Sequence, residues 1–340
     1  MSTRLHDWLL ATWYGGAGSG WWLQPFAWLF AGAARMRRAL YARGWLASYW
    51  SRRPVIVVGN LTVGGTGKTP FVVWLARQLR GQGLRVGIAT RGYGGSARGA
   101  RRLEAADTAA SAGDEAVLLR RKLGLPVAVG ARRAEAVRLL EDDCDVVVCD
   151  DGLQHYALAR DVEIAVVDGA RGLGNGRRLP AGPLREPGSR LSEVDAVVVN
   201  GAGFDWPEAI RMRIEPVAAV ALAGGARRLL AEFAGRPVTA VAAIGNPARF
   251  FGMLRAHGLD VAERALPDHA LVTPAAAGIE AGDTVLMTEK DAVKCAGDRW
   301  LDAWYIEADA RVDAAAAASL LARIAERFAQ RRTQRGTNRE

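Results

Sequence analysis

The sequence predicts an α/β fold: a parallel sheet covered by helices, with a smaller C-terminal α/β domain and an aromatic, basic N-terminal segment. Three observations carry this. Short continuous runs of β-branched residues alternate with helical stretches, the pattern of parallel strands buried on both faces. The alternation lapses near Ala223-Gly224-Gly225 and then restarts. Seven of the eleven tryptophans (8, 13, 21, 22, 28, 45 and 50) precede the first strand-like run. A chain of 340 residues suits two domains at about 100–200 residues each. Half of it is hydrophobic, 24% is charged and mean hydropathy is +0.01, which excludes a disordered, collagen-like or polytopic membrane chain. The expected divisions are a membrane-associating segment over 1–50, a larger domain over 51–225, a smaller one over 226–330 and a frayed basic tail over 331–340.

The front end comes first. Trp21 to Ala34 is the most apolar stretch, but as a helix it reaches only about 20 Å against a hydrocarbon core of about 30 Å. Gln24 and Pro25 lie inside it. Positive charge follows the apolar run instead of preceding it, which fits a cleaved signal peptide poorly. Tryptophan favours the headgroup boundary, and Arg35, Arg37, Arg38 and Arg43 suit anionic lipid. Interfacial association is expected, with everything after the arginine cluster cytoplasmic; a helix packed on the protein's own body is the alternative. The net charge of +9 is placed in the same way. Residues 1–54 hold seven Arg and one Asp, the last ten residues hold four Arg and one Glu, and the stretch between them is formally neutral.

After Arg53-Pro54 the strand Val55–Val58 ends at Gly59-Asn60, and a Gly-rich loop leads into a helix from about Lys68 to Arg80. The strand Val86–Thr90, a helix opening near Gly113, a short strand Pro126–Val129 and a helix Arg132–Leu140 follow. Strands Asp145–Asp150, Val162–Asp168 and Asp195–Asn200 complete the larger unit. A loop of about twenty residues before the last of them is long enough to suggest a functional role. In the smaller unit, strands are expected at Val238–Ile244, Asp260–Arg264, Thr284–Thr288 and Trp304–Glu307. Helices are expected from Asn246 to about His257 and from Asp313 to Gln330. Cys144, Cys149 and Cys295 form neither a disulfide framework nor a metal-ligand spacing, so the compartment reads as reducing.

Chemistry concentrates at strand ends. Thr62-Val63-Gly64-Gly65-Thr66-Gly67-Lys68-Thr69 follows a strand and opens a helix, the context of a phosphate-binding P-loop. Backbone N–H groups of such a loop cradle the phosphates of ATP, Lys68 reaches the β- and γ-phosphates, and the Thr69 hydroxyl ligates Mg²⁺. Thr62 stands where the usual pattern has its first glycine. Asp150-Asp151, closing a buried strand, match the second element of P-loop enzymes, which holds Mg²⁺ and its waters. Asp114 and Glu115 open a helix, where acids also serve as ordinary caps. His269 and Glu289-Lys290-Asp291 are ambiguous individually.

Taken together, VGNLTVGGTGKTP (58–70), TRGYGG (90–95), GDE (113–115), DDGLQH (150–155), LPAGPLREP (179–187), GNP (245–247), PDH (267–269) and TEKDAVKC (288–295) resemble the tetraacyldisaccharide 4'-kinases, the lipid A 4'-kinases of Gram-negative bacteria. YGGAGSGWWLQPFAWLF (14–30) resembles that family's N-terminus too. The resemblance implies transfer of the γ-phosphate of MgATP to the 4'-hydroxyl of a tetraacyldisaccharide 1-phosphate, giving lipid IVA. It implies a P-loop core with the active site in the cleft beside a smaller domain. The family's base falls on Asp114, supported by His269, and its Mg²⁺ and phosphate acids fall on Asp150, Asp151, Glu115 and Glu186. Tyr93, Gln154, His155 and Arg185 align with residues near substrate or nucleotide. The family often carries a second histidine where this chain has Ala270. The implied setting is the anionic cytoplasmic face of the bacterial inner membrane, with no nucleic-acid partner.

Three other readings compete. A GTPase would carry an N-K-x-D element, and Thr288-Glu289-Lys290-Asp291 has its lysine one position displaced. A nucleic-acid-binding ATPase would spread its basic residues across the fold, whereas here the surplus sits at the termini. A cytosolic small-molecule kinase leaves the aromatic N-terminus without a purpose.

Overall fold

A computed structural model describes residues 3–15, 20–96, 98–268, 270–295 and 300–337. Helices α1 (Thr3–Tyr14) and α2 (Gln24–Ala42) precede β1 (Val55–Gly59). The larger lobe continues through α3 (Lys68–Gly81), β2 (Val86–Thr90), β3 (Arg101–Arg102), α4 (Ala109–Ala112) and α5 (Asp114–Leu123). It closes with β4 (Val127–Val129), α6 (Arg133–Arg138), β5 (Val146–Asp150), β6 (Val162–Asp168) and β7 (Ala196–Asn200). β8 (Ile210–Ala221) and β9 (Arg227–Arg228) lead to the smaller lobe: β10 (Pro237–Ala242), α7 (Pro247–Ala256), β11 (Asp260–Ala265) and α8 (Pro274–Ala277). Last come β12 (Thr284–Thr288), α9 (Glu289–Ala292), β13 (Asp302–Val312) and α10 (Ala314–Thr337).

The strands join one continuous sheet in the order β11-β10-β12-β13-β8-β7-β6-β1-β5-β2-β4-β3, with β9 paired to β8. From β8 through β4 every neighbour is parallel. β1 lies in the middle, and its register sets Val58 beside Asp150 of β5, so the loops after both strands open on one edge. That edge, beyond the carboxyl ends of parallel strands, is where α/β sheets bind ligands.

Alternation along β1 feeds two cores. Ile56 and Val58 pack with Phe71 and Leu75 of α3, while Val55 and Val57 pack with Leu140 and Leu153 on the opposite face. The smaller lobe has cores of its own around Phe233, Phe251 and Trp304 and around Val285 and Met287.

Two departures from the expected divisions stand out. β8 and β13 form a long antiparallel ribbon between the lobes, yet the sequence pattern missed β8 and gave β13 only its first half. Both strands are half exposed, and the ribbon carries a bulge between Glu307 and Ala308, opposite Pro216, where a strand tolerates proline. The last helix, assigned by sequence to the smaller unit, returns to the larger lobe: Leu320, Ile324 and Phe328, spaced four apart, join the core beneath α3. Nor does the chain fray at 331. The helix continues to Thr337, because buried Arg331 bonds to Asp161 and to the Ser51 carbonyl.

Pro25 initiates α2, as proline does in a first helical turn, and does not interrupt the helix. Only Ala27 of α2 is buried, whereas Trp21, Trp22, Phe26, Trp28 and Leu29 are exposed. Among the described residues no helix is long and apolar enough to cross a membrane. The segment is nevertheless docked on the long loop before β7. Trp13 Nε1 donates to the Pro180 carbonyl at 3.0 Å, Asn175 N donates to the Trp13 carbonyl at 2.8 Å, and Leu23 and Ala27 pack on Ala181.

Candidate active site

The loop between β1 and α3 is shaped by backbone demands. Gly67 sits at φ +92°, and a Cβ there would lie 2.4 Å from Asn200 Nδ2, which itself donates to the Thr66 carbonyl at 3.1 Å. Only glycine fits. Thr62, at the motif's first glycine position, is bridged to Leu184 and needs no positive φ. Asn60 Nδ2 holds the loop from inside by donating to the Thr62 carbonyl at 2.7 Å.

Charged groups converge beneath this loop. Lys68 Nζ donates to Asn60 Oδ1 at 3.1 Å and stands 3.5 Å from Asp151 Oδ1. Arg185 reaches both oxygens of Asp151 at 3.2 Å. Burial opposes ionisation of Asp151, but Lys68 and Arg185 outweigh it and hold the carboxyl well below its usual range. Asp151 takes a left-handed φ of +52°, a conformation Asp tolerates. Asp150 is wholly buried. Its Oδ2 accepts from the Thr69 hydroxyl at 3.4 Å, and its Oδ1 has no hydrogen-bond partner. Burial, reinforced by Glu115, pushes it up to about 7. Gln154 Nε2 donates to the Asn60 carbonyl and to Glu186 Oε2, and the Tyr156 hydroxyl donates to Glu186 Oε1. Each oxygen of Glu186 thereby accepts one bond, which sets it beside Gln154. His155 is pulled down to about 4, first by burial and then by Arg133, so it is neutral near pH 7.

A second group of acids faces this one. Asp114 is buried in the first turn of α5; its Oδ1 accepts from Glu115 N at 2.8 Å. The smaller lobe supplies the counter-charges. Lys290 Nζ donates to Glu115 Oε1 at 3.1 Å and lies 3.8 Å from Asp114 Oδ2 and 3.7 Å from Asp268 Oδ1. Lys294 Nζ lies 3.9 Å from Asp114 Oδ2 and 2.8 Å from Asp291. Burial disfavours the charge on Lys290, but Glu115, Asp114 and Asp268 prevail and raise its pKa. Between the two groups lies a cleft of about 480 Å³ lined by residues 64–70 and by Arg91, Tyr93, Glu115, Asp151, Arg185 and Asn246. Tyr93 is 58% exposed at its rim. His269 lies outside the described residues.

The oxygen donors suit Mg²⁺, and the unpartnered Oδ1 of Asp150 beside the Thr69 hydroxyl offers it a ligand. No three His, Cys, Asp or Glu side chains among the described residues converge into a ready metal cluster.

Residue spacing missed several groups. Asp168, buried at the end of β6, accepts from Arg249 at 2.6 Å and from Asn246 at 3.2 Å, and so ties α7 to the larger lobe. Arg171 NH1 donates to the Gly245 carbonyl at 3.1 Å. Asn60 and Lys294 were also overlooked. The one available signal was that Asp168, like Asp150, is an acid closing a buried apolar strand.

A family model described as Tetraacyldisaccharide-1-P 4'-kinase matches residues 19–326. Tetraacyldisaccharide 4'-kinase from Pseudomonas paraeruginosa is 47% identical over 306 residues, spanning 89% of this chain and 92% of that one. The enzyme of the same name from Aeromonas hydrophila is 47% identical over 317 residues, spanning 88% and 91%. Among solved structures, LpxK from Aquifex aeolicus, crystallised in complex with ATP, superposes with a TM-score of 0.74 at 29% identity. The match covers 89% of this chain and 98% of that one.

Proposed function

The chain belongs to the tetraacyldisaccharide 4'-kinase family, and we propose from that premise how its residues carry out the family reaction. It is an ATP-dependent kinase of lipid A biosynthesis that transfers the γ-phosphate to the 4'-hydroxyl of a tetraacyldisaccharide 1-phosphate. The carrying observation is the cleft itself. The phosphate loop with Lys68 forms one wall, and Glu115, beside the buried carboxylate of Asp114, lines the other. The GTPase reading loses its element, because Asp291 is buried against Ala243 N and Lys294, and Lys290 turns to Glu115.

Phosphoryl transfer asks chiefly for positioning and charge neutralisation. Residues 62–69 cradle the phosphates, and Lys68, held by Asn60 and Asp151, meets the charge that grows as the γ-phosphate leaves. Thr69 and Asp150 would hold Mg²⁺, which neutralises phosphate charge when bound, while Asp151 and Glu115, paired with Lys68 and Lys290, would face the phosphates around it. Asp114 accepts the proton of the attacking hydroxyl, with His269 supporting it. Arg185 and Gln154 orient substrate, and Glu186 fixes Gln154 in place. Tyr93 and His155 contribute to the substrate side. The exposed row Trp21, Trp22, Phe26, Trp28 and Leu29, backed by Arg35, Arg37 and Arg43, rests on the anionic cytoplasmic face of the inner membrane. Arg37 donates to the Gln154 carbonyl at 3.3 Å, which carries α2 from that surface to the site.

The test is transfer of labelled γ-phosphate to the disaccharide 1-phosphate in detergent micelles. Wild type should label the lipid and Lys68→Ala should not; labelling by both would refute the loop's role. Binding to anionic vesicles should fall in Trp28→Glu/Leu29→Glu, and unchanged sedimentation would refute the membrane contact.

A further inference from the structure

The lobes meet along α5, and the contact is unusual at both ends of that helix. In its last turn Lys122 is nearly buried, with 6% of its side chain exposed. Its Nζ donates to Glu289 Oε2 at 2.6 Å and to the Ala308 carbonyl at 2.7 Å, and stands 3.3 Å from Asp309 Oδ1. Glu289 Oε2 also accepts from Ala308 N at 3.3 Å, so the carboxylate is fixed on the ribbon. Asp309 in turn receives Arg77 of α3 at 2.8 Å. In the first turn of α5, Asp114 and Glu115 meet Lys290, the residue after Glu289. Consecutive residues of the smaller lobe therefore grip one helix at two points, about 12 Å apart along its axis.

Packing fixes this register only in part: Val293, just after α9, joins the core of Ala116, Val117 and Leu119. Beside the contact the lobes leave a cavity of about 620 Å³, lined among others by Leu118, Lys122, Leu222, Glu289 and Tyr305. An ion pair buried there adds little net stability over an apolar replacement, but it admits only one geometry. Losing the pair frees α5 to shift against α9, and Asp114 moves relative to Lys290 while the phosphate loop stays intact.

Resting on the kinase reading above, we propose that Lys122 is a positioning residue. Through Glu289 and Asp309 it locks α5 to the smaller lobe, and so holds Asp114 and Glu115 in register with Lys290.

The experiment compares Lys122→Met, Lys122→Arg, Glu289→Gln and the adjacent Arg121→Met in full-length protein, measuring kcat, KM for both substrates and Tm. Lys122→Met should lower kcat by between about tenfold and a hundredfold, with KM for ATP nearly unchanged. Lys122→Arg should restore most of it, and Arg121→Met should match wild type. Wild-type kcat in Lys122→Met, no rescue by arginine, or an equal loss in Arg121→Met would each overturn the proposal. Should Lys122→Met fail to fold, Glu289→Gln carries the same expectation, and wild-type kcat there refutes it. Amide hydrogen exchange at Glu115, measured without substrate, should quicken in Lys122→Met, or in Glu289→Gln in its place; unchanged exchange overturns the proposal whatever the acceptor. Failure of wild type to phosphorylate the disaccharide would instead refute the activity reading alone.

Discussion

Replacing Asp114 by Asn is the sharpest test of the division of labour in the cleft. The substitution keeps the side chain's shape and leaves an oxygen to accept from Glu115 N, a bond of 2.8 Å, so α5 should still start at the same residue. What it removes is a basic oxygen and a negative charge facing Lys290 and Lys294 at 3.8 and 3.9 Å. General-base assistance is worth about 10²–10⁴-fold, or about 3–5 kcal/mol of transition-state stabilisation. Lys68 of the phosphate loop is held by Asn60 and Asp151. The loss should therefore fall on kcat, with ATP affinity retained. Steady-state kinetics with saturating disaccharide in micelles, paired with calorimetric titration of ATP, separates the two terms. A kcat within fivefold of wild type would remove Asp114 from the base role, and a kcat loss matched by lost ATP affinity would make the residue structural.

Gly67→Ala should weaken ATP binding by at least about tenfold, since its Cβ meets Asn200 and its φ of +92° costs about 1–3 kcal/mol for another residue; undiminished affinity in a titration would refute the loop geometry. His155, pulled down to about 4 by burial and Arg133, binds fewer protons folded than unfolded between that value and its ordinary 6.5. Stability should accordingly fall as pH drops through this window, by up to about 1.4 kcal/mol per pH unit. His155→Gln should flatten that slope in urea titrations, and parallel slopes would count against it. Arg249→Met strips buried Asp168 of its guanidinium partner and should cost about 1.5–3 kcal/mol in the same assay; an unchanged midpoint would mean the pair adds nothing.

What the sequence disclosed follows from how each element is buried. β2, β6 and β12 begin and end at the expected residues, because a strand covered on both faces must be apolar throughout and its limits are visible in composition. β8 was missed although IRMRIE alternates exposed Arg and Glu with buried or partly buried residues, because it is no continuous apolar run and Pro216 interrupts it. The phosphate loop and the Asp150-Asp151 pair were legible because each is a short local pattern at a strand end. Lys290, Lys294 and Arg249 were not, since each acts on a residue more than 80 positions away. Glu186 was expected among the metal and phosphate acids from the family resemblance, and only the fold reveals its bonds to Tyr156 and Gln154.

The placement of charge in the cleft explains why the site needs two lobes. Asp114, Glu115, Asp150 and Asp151 all arise from the larger lobe at the carboxyl edge of one sheet, close enough that Glu115 helps to raise Asp150. Lys68 and Arg185, also from the larger lobe, are directed at Asp151. The remaining compensation for Asp114 and Glu115 comes from Lys290 and Lys294 across the cleft. A carboxylate intended as a base must stay ionised while partly desolvated, and a lysine brought by a separate body can achieve this without occupying the space where the hydroxyl arrives. With Asp114 proposed as the base, the smaller lobe belongs to the proposed acid–base apparatus through Lys290 and Lys294, and the β8–β13 ribbon joins that lobe to the sheet.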